Sequence, residues 1–372
     1  MIRTWPLYAK LAMLMLFLFI LFYVIYIGQQ IILPLGFSFL FAVLLRPMEG
    51  ALLRLRIPRV IAILLVITIA LLIVVGIIIF ISSQIASFMS DIPAVKRNLE
   101  DLGRQSQLWI DHTFHVTARQ QDVLLEQAKS ETVNNLGAVG TFNIITTSLA
   151  TLTLIPVYVF LFMYYRTLLL RFVTQLFADE HLSRVEEIIR EIRYVVQHYI
   201  TGLLTETTIV AILNTIGLVL IGAPYAVLLG LVGAILNLIP YIGGLLAILL
   251  TALLTFTNTG SAEVMTWSII VYLLVQFVDN NFLVPYIIGS RVKLNALFSI
   301  VGVLLGGALC GIGGMFLSIP IIAIFKVICD RIDDLKPWGQ LLGDDVPTWN
   351  PLSGKNFRRR KKAGPQKSAA TK

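Results

Sequence analysis

The sequence predicts an all-α integral membrane protein with about eight apolar membrane segments. We read these as six transmembrane helices plus two broken re-entrant hairpins in an inverted repeat. Three observations point there. Of 372 residues, 57% are hydrophobic and only 13% charged, and the apolar residues gather in runs of 17 or more, a length that suits a bilayer rather than a soluble core. Basic residues sit in short segments beside those runs, as the loops of a polytopic protein do. Two runs, Ala226 to Phe256 and Leu297 to Val327, are each 31 residues long and carry breaks near their middles.

The length of these two runs is the first clue to their shape. As one helix, 31 residues would extend about 46 Å, too long for a hydrocarbon core of roughly 30 Å, while two full crossings would need about 40 residues. In the first run Asn237, Pro240, Tyr241, Gly243 and Gly244 interrupt the apolar sequence. Pro240 removes a backbone donor and disfavours helix at the residue before it, and the glycine pair loosens the chain beyond. A hairpin of two half-helices is expected, entering and leaving on one side. Non-helical backbone at membrane depth persists only where protein buries it or water reaches it, so such a break marks a candidate binding site.

Taken in order, Leu11 to Gly28 and Ile31 to Leu45 are the first two crossings, followed by a loop with Arg46, Arg54, Arg56 and Arg59 against the single acid Glu49. Arg3 and Lys10 before an apolar run resemble a secretory signal. The run is long, lacks a small-x-small cleavage site and leads into another apolar run, so a retained helix is expected. Short Arg-rich loops stay in the cytoplasm, which places the N-terminus inside. Val60 to Ser82 crosses outward to a polar insertion whose spaced apolar residues predict amphipathic helices. Phe142 to Tyr165 crosses back, with a kink expected at Pro156. Val185, Ile188, Ile192, Val195 and Tyr199 then form the apolar stripe of a charged cytoplasmic helix, and Leu203 to Ile221 and Val264 to Tyr286 complete the crossings.

The second 31-residue run, broken by Gly306-Gly307, Gly311, Gly313-Gly314 and Pro320, must be a hairpin if the basic tail Arg358 to Lys362 is to stay inside with the N-terminus. The organisation expected is therefore residues 1–83 as three transmembrane helices, 84–140 as an extracytoplasmic amphipathic insertion, and 141–202 as a transmembrane helix with a cytoplasmic amphipathic helix. Residues 203–330 form a transport core of two helix-plus-hairpin repeats, and 331–372 a disordered cytoplasmic tail.

The candidate chemistry lies in the core. Tyr272, Gln276, Asp279 and Asn280 share one helix face by their spacing, and a charged aspartate in a membrane helix costs enough to demand a role or a partner. A function for Asp279 competes with pairing to Arg291 or capping of the second hairpin. On the preceding crossing Thr207, Ala211, Asn214 and Gly217 make a small, polar face suited to close packing against that stripe. Glu206 and Asn214 are secondary candidates. The proposed lining is Asn237, Pro240, Tyr241, Gly243 and Gly244 from one hairpin, Gly313 and Gly314 from the other, and Gln276, Asp279 and Asn280 between.

Other classes find little support. The net charge of +8 fits anionic headgroups beside the membrane better than nucleic acid, for which no fold is present. Cys310 and Cys329 lack metal-site spacing, and His112 and His115, at i and i+3, lack further ligands, so no metal and no cofactor is expected. No Walker loop, HExxH or GxSxG signature occurs, and no enzymatic activity is expected.

The motifs Asn237-Leu-Ile-Pro240-Tyr241-Ile-Gly243-Gly244, Gln276-Phe-Val-Asp279-Asn280 continuing to Pro285 and Gly289, and Gly311-Ile-Gly313-Gly314-Met315 with Pro320 together resemble the autoinducer-2 exporter family, over about residues 10 to 330. The sequence departs from that pattern at Asn295-Ala296, where many relatives carry a proline. The resemblance implies a bacterial cytoplasmic-membrane transporter. Some relatives export the furanosyl signal autoinducer-2 and others exchange sodium or lithium for protons. The expectation is an ion-coupled secondary transporter exporting a small polar solute such as autoinducer-2, with H⁺ or Na⁺ as coupling ion, and with Na⁺(Li⁺)/H⁺ antiport as the alternative within transport. A membrane scaffold is the alternative from another class. The bilayer, a small polar solute or monovalent cation, and further copies of the chain are the expected partners, with both termini cytoplasmic.

Overall fold

The computed structural model describes residues 6–114, 153–177, 181–240, 242–289 and 294–344. Among these the chain is helical, with no strand. The helices are α1 (Leu7–Ile27), α2 (Gln29–Arg54), α3 (Arg59–Phe114), α4 (Thr153–Tyr164), α5 (Arg166–Gln175), α6 (Leu182–Leu220), α7 (Ala226–Asn237), α8 (Gly243–Thr259), α9 (Ala262–Val278), α10 (Ala296–Arg331) and α11 (Lys336–Leu342). Five of them are long and apolar enough to cross a membrane, six if α4 and α5 count as one bent span. The outward faces are apolar, as lipid demands: along α1, Met15, Phe17, Phe19 and Ile27 are all exposed, and α1 is hydrophobic on every side.

Four clusters of buried side chains hold the described helices together, the smallest being Val195, Ala323 and Val327 between α6 and α10. Leu45, Ile63, Val66, Val159 and Met163 join α2, α3 and α4. Leu40, Val196, Tyr199, Ile200 and Leu317 join α2, α6 and α10. Leu218, Ala226, Leu229, Ala247 and Tyr272 join α6 to the α7–α8 pair and α9. In hydrocarbon, helices gain little from apolar contact as such, so close approach of backbones matters. A side chain at Gly230 of α7 would run into the backbone of Thr215 in α6, and one at Gly217 of α6 into Val271 of α9. Of the small-residue face on α6, Gly217 is thus in close contact with α9, at Val271.

Both 31-residue runs double back. The first is α7 and α8 with a non-helical turn that includes residues 238–240 and 242. At 12 residues, α7 is about 18 Å long, well short of a crossing. A Cβ at Gly243 would overlap the Leu236 carbonyl, so glycine is what lets the turn close this tightly. The second run breaks only at Cys310-Gly311, where Gly311 has φ 60° and ψ −151°, a conformation open essentially to glycine alone. The arms then pack side by side: Gly302 faces Ile322, and Gly306 faces Ser318 and Gly314. In a straight helix residues 302 and 322 would stand about 30 Å apart. Gly306-Gly307, Gly313-Gly314 and Pro320, expected to break the run as well, lie inside the helical arms.

Other boundaries differ from expectation for physical reasons. The amphipathic stripe and the crossing after it are one continuous helix, α6, because no proline separates Tyr199 from Leu203 and the single Gly202 between them stays helical and buried. α3 continues without interruption from the crossing into the first part of the insertion, reaching Phe114. The bend of the fourth crossing falls at Tyr165, where α4 and α5 meet at 61°, rather than at Pro156. Beyond Val278 the α9 helix passes into a π-helix, Asp279–Gly289, which contains Pro285. Tyr241, Arg291, His115, most of the insertion and the Arg358 to Lys362 tail lie outside the described residues, as does the side chain of His112.

One end of the bundle collects the charges. Arg331 bonds Glu187 and Glu191 of α6 at 2.6 and 2.7 Å. Arg184 reaches Asp333 at 3.1 Å, and Arg59 reaches Glu49 at 3.6 Å. The Asn295 amide donates to the Leu342 carbonyl at 2.8 Å. The hairpin in α10 therefore starts and finishes at this basic end, whereas α7–α8 is suspended from the Gly222 turn at the far end of α6.

Candidate functional site

The tip of the α7–α8 turn brings three polar residues from three elements together. Asn237, the last residue of α7, donates from one side-chain nitrogen to Glu206 Oε1 of α6 at 3.2 Å and to Asp279 Oδ2 at 3.0 Å. Glu206 and Asp279 are 4% and 2% exposed, and their carboxyls lie within hydrogen-bonding reach of each other. Gln276, one turn before Asp279, adds a long contact to Asp279 Oδ2 at 3.5 Å and another to Asn280 Oδ1 at 3.4 Å. Asp279 Oδ1 is buried and faces no donor. No Lys or Arg pairs with either acid among the described residues. Buried charge normally demands a partner, so this absence makes the pair the most unusual electrostatic feature of the fold.

Local structure explains why the residues meet. Asp279 opens the π-helix, whose wider turn displaces side chains from the α-helical register, and such segments recur at functional sites. Tyr272, two turns earlier, is buried and donates to the Leu229 carbonyl of α7 at 2.7 Å. That bond fixes α9 against the first hairpin arm about 12 Å, or two turns, before the tip. Gly233 permits the approach, since any side chain there would strike Tyr272.

Two spaces adjoin the pair. A cavity of about 550 Å³ is lined by Glu206, Asn237, Pro240, Gly244, Gln276, Asp279 and Asn280, with Tyr199 from α6 and Ser299 and Ile319 from α10. On the opposite side a pocket of about 10 Å³, room for one water, lies among Asn214, Gly233, Tyr272 and Ala247. Asn237, Gly244, Gln276 and Asp279 border both, so they form the partition between a wide space and a narrow one.

Of the residues singled out from sequence, Asn237, Pro240, Gly244, Gln276, Asp279 and Asn280 are gathered around the cavity. Gly243 is buried in the turn behind them, and Tyr241 lies outside the described residues. Gly313 and Gly314 are not at the cavity. Gly313 packs against Leu33 and Phe37 of α2, and Gly314 against Gly306 and Cys310, because α10 turns sharply at Gly311 and lays its tip on α2. The second hairpin reaches the cavity through Ser299 and Ile319, which sequence reasoning missed, since isolated Ser and Ile residues in an apolar run carry no signal. Glu206, treated as secondary from sequence, stands in the first rank. Asn214 lines the narrow pocket and has its Oδ1 buried without a partner. Cys310 and Cys329 are free and buried. No cluster suited to a metal ion occurs among the described residues.

Membrane-length helices around a buried, carboxyl-lined cavity define a multi-pass membrane protein of the transporter class. The chain belongs to the AI-2E family of transporters: the pattern described as "AI-2E family transporter" matches residues 13–334. It is similar to the AI-2 transport protein TqsA of Escherichia coli (strain K12), 23% identical over 324 residues that span 85% of this chain and 90% of the relative. The Bacillus subtilis (strain 168) protein YueF is 25% identical over 288 residues, 74% of this chain and 77% of its own length. YrrI, from the same organism, is 32% identical over 130 residues, and there the match spans only about a third of either protein (35% and 36%).

Proposed function

We propose that this protein is an ion-coupled secondary transporter that exports a small polar solute, and that Glu206, Asn237 and Asp279 form its coupling site. The observation that carries the reading is the pair of buried carboxyls, joined by one amide and facing no basic side chain among the described residues, at the floor of a cavity of about 550 Å³. Two like charges that close cannot both stand bare in a site of low dielectric. Either a proton on one carboxyl or a small monovalent cation between them resolves the conflict. A proton on Glu206 would also give Asp279 Oδ1 the donor it lacks. Exchange between these two occupancies is coupling chemistry, and it needs no cofactor or catalytic step.

The cavity provides the solute's place. Asn237, Gln276 and Asn280 offer amide donors and acceptors, and the hairpin turn offers backbone groups, which together suit hydroxylated or carbonyl-bearing molecules such as autoinducer-2, the substrate named for TqsA. The two hairpins, hanging from opposite ends, are read as a re-entrant inverted repeat about the site, the architecture from which alternating access is built. The positive-inside rule assigns the basic end and both termini to the cytoplasm of a bacterial inner membrane. Further copies of the chain in the bilayer are proposed as partners. Na⁺(Li⁺)/H⁺ antiport is a second reading, favoured by the carboxyl pair itself, which could serve cations as cargo and coupling ion alike.

Purified protein in proteoliposomes tests this. Asp279→Asn should abolish ion-driven flux of labelled solute, and unchanged flux sinks the coupling role. Na⁺-dependent collapse of a pH gradient without any added solute would favour antiport over export. A scaffold without transport would show neither activity in the wild type.

A further inference from the structure

A second cavity lies away from the carboxyl pair, at the basic end of the bundle. It measures about 340 Å³ and is bounded by α2, α4, α5 and α6. Its walls are apolar, from Phe39, Ala42 and Val43 on one side to Phe162, Leu170 and Ile192 on the other. Its rim is cationic, with Arg46 from α2, Arg166 from α5 and Arg193 from α6. The one acid there, Glu49, is 2% exposed and already held by Arg59 at 3.6 Å and by Arg166 at 4.0 Å. Arg59 is itself anchored to the Met163 carbonyl at 2.7 Å. Arg46 and Arg193 face no acid among the described residues, and Arg166 Nε is buried with no hydrogen-bond partner. The cavity therefore keeps a surplus of two positive charges and an unmet donor above an oily slot.

Its setting favours a lipid over a soluble anion. α5 leaves α4 at 61° and exposes Leu168, Phe172 and Leu176, as a helix lying in a membrane interface does. Along α2, Phe39 and Arg46 are seven residues apart, about 10 Å, so the slot runs from the charged rim towards the bilayer interior. A free phosphate would satisfy the arginines and leave the apolar walls unfilled. A diacyl lipid with a phosphate headgroup meets both halves, and basic pockets between membrane helices are known to hold such headgroups.

We infer that this cavity is a binding site for an anionic phospholipid, with Arg46, Arg166 and Arg193 holding the headgroup phosphate and the Phe39–Phe162 slot taking the start of an acyl chain. The lipid stitches α4 and α5 to α6, the helix that carries Glu206 thirteen residues beyond Arg193. The inference stands apart from the transport reading, because lipid binding is measured without flux.

Full-length protein in neutral detergent is titrated with phosphatidylglycerol, phosphatidylcholine or glycerol 3-phosphate, and bound lipid is counted by native mass spectrometry. Phosphatidylglycerol should bind at least tenfold more tightly than phosphatidylcholine, and glycerol 3-phosphate should neither bind detectably nor compete. Arg46→Gln and Arg193→Gln should each weaken phosphatidylglycerol about fivefold, the worth of roughly one arginine near an anionic headgroup. A variant neutralised at Arg358 to Lys362 should keep the site. Equal affinity for both lipids, competition by glycerol 3-phosphate, or wild-type affinity when Arg46→Gln and Arg193→Gln are combined overturns the assignment. Should the arginine variants fail to fold, a diazirine-bearing phosphatidylglycerol photolysed with wild-type protein decides: label in 39–46 and 162–173 supports the site, and label confined elsewhere refutes it.

Discussion

Asn237 is the residue on which the polar centre turns, because its single amide nitrogen serves two acids that would otherwise repel each other. Hydrogen bonds to charged groups contribute about 1.5–3 kcal/mol each, and a buried acid stripped of its donor is worse off than one replaced by a neutral isostere. Glu206 and Asp279 therefore act as a unit rather than as two independent sites. A double-mutant cycle checks this. Glu206→Gln and Asp279→Asn should each remove most ion-driven flux, and the double variant should be little worse than either single one. In thermal unfolding the cycle should show a coupling of about 0.5–3 kcal/mol, the range found for residues in one network. Strictly additive losses would mean that the two carboxyls work apart.

The elements that matter most are the two hairpins, and each depends on a glycine for a different reason. Gly243 is needed for space beside the Leu236 carbonyl, Gly311 for its backbone conformation. Gly311→Ala should lower stability by about 1–3 kcal/mol, read as a drop in melting temperature, although a Cβ there meets nothing within 4 Å. An unchanged melting temperature would show that the α10 turn is not strained in the way its dihedrals indicate. The junction after α10 carries a pH dependence. Lys336 at 2.7 Å and Arg184 at 3.1 Å hold the Asp333 carboxyl below the usual carboxylate range. A group whose pKa is lower folded than unfolded adds stability above its unfolded value, and that contribution fades as pH falls through the folded one. The tether from α11 to α6 should thus be intact at neutral pH and loosen only below about pH 4, where carboxylates protonate. Protease accessibility of the 333–336 segment, compared between wild type and Asp333→Asn across that range, measures it. Wild type should be the better protected of the two at pH 7 and indistinguishable from the variant in acid.

At the scale of the whole molecule, the charges gather at one end and the polar centre lies between that end and the far turns. Glu206 is 14 residues from the end of α6, about 21 Å, and Asn237 is 11 residues along α7, about 16 Å. Both distances place the polar centre away from either end of the bundle, and α7, at 12 residues, is too short to cross a bilayer by itself. The arrangement predicts the labelling of single cysteines in a Cys310→Ser, Cys329→Ser background. Ser261→Cys, in the turn between α8 and α9, should react with a membrane-impermeant maleimide on intact cells, and Ser183→Cys, at the start of α6, only after permeabilisation. The reverse pattern would invert the protein in the membrane.

Hydropathy, charge placement and the two 31-residue runs determined by themselves that this is a polytopic helical membrane protein with broken helices, because length against bilayer thickness and the cost of buried backbone are properties of the chain alone. Motif spacing likewise brought Asn237, Gln276, Asp279 and Asn280 into one proposed site. Only the tertiary structure decided the partners. Glu206 lies 73 residues before Asp279, and no spacing rule links an acid on one helix to an amide at the tip of another. Gly313 and Gly314, identical in kind to Gly243 and Gly244, pack on α2 instead of the cavity, because the direction of a hairpin tip is set by which helix its arms lean on. The burial of Leu317 among Leu40, Val196, Tyr199 and Ile200, and of the tip against Leu33 and Phe37, sets that direction, and with it which turn holds the polar site and which serves as packing.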